Sequence, residues 1–148
     1  KVTSVYKAFS ADFNKNVHNA LTEYFEFVLN RDIKWHNGDF VEFIKSINFR
    51  RNDFVYLDPP YLISFSEYNK LWNSEKEKEL LKLLDQLNNK GVNFAISNVV
   101  LHKGMKNEIF SKWMEKYKIH KIESNYISYH NNSKKQIMEV LITNYGKA

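Results

Sequence analysis

The 148-residue sequence contains no cysteine, two prolines and four glycines, and these shortages limit its structure and chemistry. Without cysteine the chain has no disulfides, no cysteine-ligated zinc site and no thiol nucleophile. Its apolar runs are all much shorter than the ~20 residues that span a bilayer. The first residues also lack the charged and then apolar pattern of a signal peptide. We therefore expect a cytoplasmic protein whose chemistry uses groups other than thiols.

The composition indicates one globular domain with a basic balance of charge. Hydrophobic residues make up 43% of the chain, which is enough for one core at this length. There are 22 lysines and arginines against 17 acidic residues, a formal charge of +5. This charge is compatible with a polyanionic partner such as nucleic acid, although AT-rich genomes also enrich their proteins in lysine. His36, His102 and His130 show no metal-ligand spacing, so no metal site is expected.

The spacing of apolar residues predicts an alternation of helices and strands. Ser74 and Glu77 have the spacing of a capping box, and Gly91 ends the helix that they begin. The six residues 130–135 are too few for a crossover, so the last two strands should form an antiparallel hairpin. The predicted helices cover 17–29, 40–47, 74–90 and 105–117, and the predicted strands cover 32–40 with a turn at Gly38, 53–57, 92–100, 118–129 and 136–145.

This alternation predicts an α/β fold with a mostly parallel sheet and an antiparallel C-terminal hairpin. The strand at 53–57 is short, apolar and rich in β-branched and aromatic residues, and it stops at Asp58. In open parallel sheets ligands bind beyond the carboxyl ends of the strands, so Asp58 lies at a candidate site. Ser97 and Asn98 end another predicted strand at the same edge, where they either shape the pocket or are ordinary polar strand ends.

The two prolines of the chain are adjacent, in the tetrapeptide Asp58-Pro59-Pro60-Tyr61. Proline has a fixed φ and no N–H, so the chain that leaves the strand is stiff and its carbonyl groups are free to face a ligand. A carbonyl beside a carboxylate forms a site of acceptors only, and its natural partner is an NH₂ group. The Tyr61 ring offers a flat face to a heteroaromatic ring. The alternative is that Asp-Pro-Pro only ends a strand and begins a loop.

Such a site suits methylation of the exocyclic amine of a nucleobase. The amine is a poor nucleophile because its lone pair is delocalised into the ring, until acceptors at Asp58 and Pro59 hold its hydrogens out of the ring plane. The same acceptors would stabilise the positive charge that develops on nitrogen while a sulfonium donates the methyl group. A base that is paired in a duplex must first be flipped out, and stacking on Tyr61 would offset part of that cost.

Four segments of the chain resemble the Dam-type N6-adenine DNA methyltransferases of the D12 class, and most of all the T-even bacteriophage Dam enzymes. The resemblance implies a partial Rossmann-like class I methyltransferase fold, S-adenosylmethionine as the cofactor and double-stranded DNA as the partner. The segments follow the order of the family and read "NGDF" at 37–40, "YLDPPYLISFSEYNKLW" at 56–72, "LLKLLDQLNNKGVNFAISNVV" at 80–100 and "YHNNSKKQIMEVLITN" at 129–144.

The resemblance implies catalytic roles for Asp58, Pro59, Pro60 and Tyr61, which match the catalytic motif of the family. It also places Asp58 next to bound S-adenosylmethionine. The substrate that the family implies is the N6 amine of a flipped adenine.

Five further residues receive binding roles from the same resemblance. Asp39 and Phe40 match the segment that lines the adenine of the cofactor, and the alternative is a helix-capping acid beside a core aromatic. Tyr68 matches an aromatic residue next to the cofactor, and the alternative is a simple loop aromatic. Lys134 and Lys135 match a basic hairpin loop near the DNA backbone, where they would contribute to salt-dependent phosphate binding, and the alternative is a solvated turn.

The family also needs a glycine-rich turn for the cofactor, an acidic residue for its ribose and a target-recognition domain. The four glycines of this chain lie at 38, 91, 104 and 146, too far apart to form that turn. We therefore interpret 1–32 as the end of a recognition region with a connecting helix, and 33–148 as the C-terminal part of a catalytic domain in a longer or split enzyme. The activity of the isolated chain, its oligomeric state and its recognition sequence, which the family suggests is GATC, stay open.

Three functions remain open at this point. The first is a portion of a DNA adenine methyltransferase, in a restriction-modification or a regulatory system. The second is a related amino-methyltransferase that acts on RNA, where the same acceptor motif would serve. The third is an inactive, DNA-binding remnant of the family.

Overall fold

The computed structural model of the chain shows a mixed α/β structure. Of the helices in its described ranges, none is long and apolar enough to cross a membrane. The described residues are 15–64, 69–122 and 137–146. The helices are α1 (Lys15–Leu29), α2 (Phe40–Ser46), α3 (Ser74–Asn89) and α4 (Glu108–Met114), and the strands are β1 (Phe54–Leu57), β2 (Asn93–His102), β3 (Met105–Lys106), β4 (Lys118–Ile122) and β5 (Ile137–Thr143).

The chain divides into two compact units, and the first, Lys1–Gly38, contains α1 where the apolar spacing predicted a helix. No residue of α1 is buried. The strand predicted over 32–40 is wrong, because residues 32–37 are irregular and the chain bends at Gly38. An extended segment becomes a strand only where its backbone groups bond to a neighbouring strand, and the described residues provide none here. The division of roles that we predicted at residue 32 stays a prediction.

The second unit, Asp39–Ala148, contains one sheet in the order β1-β2-β5-β4, with β3 paired to β2 beside this path. β1 lies parallel to β2, and β5 lies antiparallel to both β2 and β4. The predicted hairpin of the last two strands is therefore confirmed. The predicted mostly parallel sheet is wrong in its pairing, because β5 inserts between β2 and β4, two strands that run in the same direction. Val140 and Ile142 of β5 are buried, which favours its central position.

The helices α3 and α4 pack against one face of β2. Leu84 of α3 and Phe110 of α4 are fully buried. The ring of Phe94 in β2 contacts the rings of Trp113 and Tyr117, with centroid distances of 6.0 and 5.1 Å. Each such buried side chain stabilises the fold by about 1.5–3 kcal/mol, so this packing holds β2 firmly in place.

The cap of α3 and the start of α4 differ from the sequence-based prediction. Helix α3 is capped by Asn73, whose side-chain oxygen accepts from the backbone N–H of Glu75 and of Lys76 at 3.0 and 2.9 Å. The predicted capping box of Ser74 and Glu77 is therefore wrong. Helix α4 begins only after Asn107, because the chain first turns at Gly104, which has a φ of +79°, and pairs as β3 with the end of β2. The predicted stop of α3 at Gly91 is confirmed by its φ of +74°.

Replacement of the observed cap should destabilise the fold, and replacement of the residue that the sequence pattern suggested should not. Asn73→Ala removes the acceptor of two backbone N–H groups, so we expect a loss of about 1 kcal/mol in the free energy of unfolding. The matched control Ser74→Ala removes a hydroxyl within the helix and should change the free energy by less than about 0.5 kcal/mol. Urea denaturation of both variants measures the difference, and an equal or larger loss in Ser74→Ala would contradict the observed cap.

Candidate active site

Asp58 lies directly beyond the last residue of β1, at the carboxyl end of the strand. The two prolines that follow lack N–H groups, so they cannot continue the ladder with β2. The register of β1 and β2 pairs Leu57 with Ile96. The next residue of β2, Ser97, therefore lies beside Asp58, and its hydroxyl donates to Asp58 Oδ1 at 2.9 Å. Ser97 is therefore next to the candidate site, as predicted, but the prediction that Ser97 and Asn98 end their strand is wrong, because β2 continues to His102.

Tyr61 connects the end of β1 to β5. Its hydroxyl oxygen lies 3.3 Å from Asp58 Oδ1 and 3.3 Å from Glu139 Oε1, so its single proton can be donated to either carboxylate. Burial, and next the negative charge of Asp58, raise the pKa of Tyr61 to about 12. Tyr61 is therefore a neutral hydrogen-bond donor at physiological pH and is unsuited to act as a base.

A cavity of about 330 Å³ brings together four of the predicted site residues, Phe40, Asp58, Pro59 and Pro60. Its volume is at the small end of the range for ligand pockets. Phe40 and Trp72 form an aromatic part of its wall, with ring centroids 5.6 Å apart. The residues that line it are Phe40, Phe43, Ile44, Val55, Tyr56, Leu57, Asp58, Pro59, Pro60, Trp72 and Leu80.

Asp39 stands beside this cavity as the N-cap of α2. Its Oδ1 accepts from the backbone N–H of Val41 at 2.9 Å, and its Oδ2 pairs with Lys76 Nζ at 3.2 Å. The hydrogen bond from Val41, and next the contact with Lys76, hold the pKa of Asp39 below its usual value. The capping alternative for Asp39 is thus observed, whereas Phe40 lines the cavity. A cofactor role for either residue stays a prediction.

A second cavity of about 240 Å³ lies next to Tyr61, and four polar side chains line it. They are Tyr61, Ser64, His102 and Glu139. The sequence gave His102 no role, and its Nδ1 lies 3.4 Å from the backbone oxygen of Ile63. The two cavities share the Asp58–Tyr61 segment, because Asp58, Pro59 and Pro60 line the first and Tyr61 lines the second.

The loop after Tyr61 is fixed by a residue that the sequence did not single out. The side-chain amide of Asn69 donates to the backbone oxygens of Tyr61 and Ser64, at 2.9 and 2.6 Å. Tyr68 lies outside the described residues, as do Lys134 and Lys135, so their predicted roles stay predictions.

Trp72 and Glu139 are the other contributors to the site that the sequence did not identify. Trp72 is the last residue of the family-like segment at 56–72, but the sequence analysis gave it no role. Glu139 offered a weak signal, because it is a single acid within the apolar strand β5. In chemical terms the first cavity combines aromatic faces with the acceptor oxygens of Asp58, and the described residues that line it include no histidine and no second acid. This combination fits a flat ring that carries N–H donors.

Comparisons with known proteins agree with this chemistry. A family model described as "D12 class N6 adenine-specific DNA methyltransferase" matches residues 1–127. The chain is 50% identical over 102 residues to the type II methyltransferase M.FokI of Planomicrobium okeanokoites, an alignment that covers 64% of this chain and 16% of that protein. It is 39% identical over 142 residues to the modification methylase StsI of Streptococcus sanguinis, with coverage of 90% and 22%.

A third relative is the modification methylase LlaI of Lactococcus lactis subsp. lactis. It is 34% identical over 112 residues, an alignment that covers 68% of this chain and 17% of that protein. The chain therefore spans between 16% and 22% of the length of the three relatives. Two of these relatives are named as modification methylases and one as a type II methyltransferase.

The raised pKa of Tyr61 should make stability fall at high pH. The folded state holds the phenol proton more tightly than the unfolded state, where the pKa is near 10.0. This contribution is fully present below pH 10 and is lost as the pH rises towards about 12. Tyr61→Phe removes it, so urea denaturation between pH 9.5 and 11.5 should show a shallower decline for the variant than for the wild type. Equal declines would contradict the raised pKa.

Proposed function

Because this chain belongs to the D12 class N6 adenine-specific DNA methyltransferase family, we propose that it forms part of an enzyme that methylates the N6 amine of adenine in DNA, with S-adenosylmethionine as the methyl donor. One observation carries the proposal. Asp58, Pro59 and Pro60 leave the end of a sheet strand together and line one cavity with Phe40. The names of the relatives favour a role as the modification enzyme of a restriction-modification system.

The first cavity fits part of S-adenosylmethionine. Phe40 and Trp72 provide aromatic faces for an adenine ring, and Asp58 provides a negative charge near the sulfonium. When bound, the cofactor supplies an electrophilic methyl group. We place the rest of the cofactor contacts, with the glycine-rich turn, the ribose-binding acid and the recognition domain, in sequence outside this chain, either in the same polypeptide or in a second one. The coverage of only 16% to 22% of the relatives supports this division.

In the proposed reaction the target adenine is flipped out of the duplex into the site next to Tyr61. The N6 hydrogens are donated to the Asp58 carboxylate and to the Pro59 carbonyl, which increases the nucleophilic character of the nitrogen. The positive charge that develops on nitrogen while the N–C bond forms and the methyl–sulfonium bond breaks would be stabilised by the same two acceptors. One N6 proton would then leave to solvent by way of the Asp58 carboxylate, so the products are N6-methyladenine and a neutral thioether. Ser97 and Tyr61 orient the Asp58 carboxylate through hydrogen bonds of 2.9 and 3.3 Å, so little reorganisation is needed during the reaction.

We propose GATC as the recognition sequence, because the chain resembles the T-even bacteriophage Dam enzymes. In our interpretation, target recognition is performed by sequence outside 33–148. We also propose that Tyr68 lies beside the cofactor. Asp39 would support the cavity indirectly, because it caps α2 immediately before Phe40.

Loss of the Asp58 carboxylate should abolish methyl transfer. We define the complete enzyme as this chain together with the sequence that its own gene and the neighbouring reading frames supply. In the complete enzyme Asp58→Ala should lower kcat by on the order of 10²–10³-fold or more, because one acceptor of the amine hydrogens is lost. Transfer of a tritiated methyl group to duplex DNA, followed by identification of N6-methyladenine, measures the effect. Glu115→Ala, at an exposed position after α4, serves as the matched control.

The same assay separates the alternatives. Duplexes with and without GATC test the recognition sequence, and RNA tests the amino-methyltransferase that acts on RNA. Methyl transfer to RNA but not to DNA would overturn the proposed substrate. Absence of transfer to both, by the chain with every neighbouring reading frame, would leave the inactive DNA-binding remnant as the function.

Lys134 and Lys135, which we predict to lie in a basic hairpin loop, should contribute to DNA affinity without altering its sequence preference. For Lys134→Ala/Lys135→Ala we expect weaker binding to duplexes of any sequence and a salt-dependence slope that is smaller by roughly 2, since each phosphate contact contributes about 0.9. Fluorescence anisotropy of the complete enzyme on labelled DNA, between about 50 and 200 mM salt, measures both quantities. The control Lys82→Ala/Lys112→Ala removes the same charge from exposed helix positions, and an equal change there would contradict a local role of the loop.

A further inference from the structure

A buried carboxylate lies beneath the first cavity. Glu77 of α3 has an exposed fraction of 0% and accepts three hydrogen bonds. Its Oε2 accepts from the indole Nε1 of Trp72 at 2.7 Å. Its Oε1 accepts from the side-chain amides of Asn98 and Asn107, at 3.1 and 2.9 Å. The donors belong to three separate parts of the second unit, namely the loop before α3, the strand β2 and the start of α4.

The two asparagine donors cannot turn away from Glu77 without losing other bonds. The side-chain oxygen of Asn98 accepts from the backbone N–H of Val99 at 2.8 Å. The side-chain oxygen of Asn107 accepts from the backbone N–H of Phe110 at 3.1 Å, as the cap of α4. Both amides therefore point their NH₂ groups at Glu77 Oε1 in a fixed orientation. A carboxylate in an apolar interior is costly unless its oxygens are satisfied, and here three neutral donors satisfy them.

Each oxygen of Glu77 supports a different wall of the candidate site. The Oε2 bond holds the indole of Trp72, whose ring lies against Phe40 in the first cavity. The Oε1 bond holds Asn98, the neighbour of the residue that donates to Asp58. Glu77, which lies outside both cavities, is thus hydrogen-bonded to the aromatic wall and to β2, the strand whose Ser97 donates to Asp58.

We propose that Glu77 is a positioning residue of the cofactor cavity, which it keeps open and shaped by holding the Trp72 indole against Phe40. The identity of the ligand rests on the proposed function, whereas the control of the Trp72 ring by Glu77 does not. Such support is what precise binding sites require, because a first contact layer is held only as firmly as the groups behind it. The capping role that the sequence pattern suggested for Glu77 is taken by Asn73 instead.

The geometry allows the Trp72 bond to be broken selectively. In Glu77→Gln the amide oxygen can take the place of Oε1 and keep both asparagine bonds. The amide NH₂ then replaces Oε2 and faces the indole N–H, so two donors meet and the indole must move. Trp72→Phe removes the N–H but keeps an aromatic ring beside Phe40. In the double variant no two donors meet, so the Glu77→Gln change should have little further effect.

The test is a double-mutant cycle on the complete enzyme, read by the KM for S-adenosylmethionine and by kcat. We expect Glu77→Gln to raise this KM by on the order of tenfold with a smaller change in kcat. In the Trp72→Phe background the same change should alter KM by less than about twofold. Trp113→Phe and Asp85→Asn form the matched control, because Trp113 Nε1 donates to Asp85 Oδ1 at 2.9 Å away from both cavities. Additive effects of the two Glu77 and Trp72 changes would overturn the proposal.

A second readout needs no ligand and separates this inference from the proposed function. Protein labelled with 5-fluorotryptophan gives one ¹⁹F signal for each tryptophan, and Trp72→Phe assigns the signal of interest. Glu77→Gln should shift or broaden the Trp72 signal and leave the Trp113 signal in place. If that shift occurs but the wild type transfers no methyl group, the proposed function fails and the positioning by Glu77 stands. An unchanged Trp72 signal, or loss of stability with unchanged KM, would reduce Glu77 to a purely structural residue.

Discussion

The parallel pairing of β1 with β2 aligns Leu57 with Ile96, and this register brings Asp58 beside Ser97 at the sheet edge. A shift by one residue would turn the side chains of β1 to the opposite face and separate the two groups. The register is in turn held by the packing of β2 against α3 and α4. The position of Asp58 therefore depends on the packing of the core as well as on the motif, because the motif lies where the hydrogen-bonded pairing of β1 with β2 stops.

Polar groups bind the site to that core on both faces of β2. Successive residues of a strand point to opposite faces, so Ser97 reaches Asp58 whereas Asn98 reaches the buried carboxylate of Glu77. Two neighbouring residues thus connect the edge of the sheet to its interior. The two asparagines that donate to Glu77 also use their side-chain oxygens as acceptors, so the hydrogen-bond donors around the Glu77 carboxylate have a single arrangement.

Residue patterns located the four helices and four of the five strands, although they missed β3, the cap of α3 and the start of α4. The stiff acceptor segment after β1, the hairpin of β4 and β5 and the stop of α3 at Gly91 all follow from local chemistry. The insertion of β5 between β2 and β4 did not follow, because strand order depends on which strand buries more apolar surface against the helices. The segment at 32–37 was misassigned for a related reason, since residue types alone cannot supply a pairing partner.

The side chains that support the site were harder to find than those that line it. Glu77 has the spacing of a cap, and only the fold shows that three side chains from different parts of the chain donate to it. Trp72 follows the motif in the next loop and Glu139 belongs to the distant strand β5, and in both cases the contact with the site depends on tertiary structure. Sequence patterns can predict the residues that line the candidate site, whereas the residues that support them are known only from the tertiary structure.

The hydroxyl of Tyr61 lies at equal distances from Asp58 and Glu139, and it carries one proton. Asp58 Oδ1 also accepts from Ser97, so both of these hydrogen bonds end on one carboxylate oxygen. In the proposed reaction an amine hydrogen donated to the other oxygen, Oδ2, would leave both bonds in place. Glu139 gives the Tyr61 hydroxyl a second acceptor, so an amine that took Oδ1 instead would still leave this hydroxyl hydrogen-bonded.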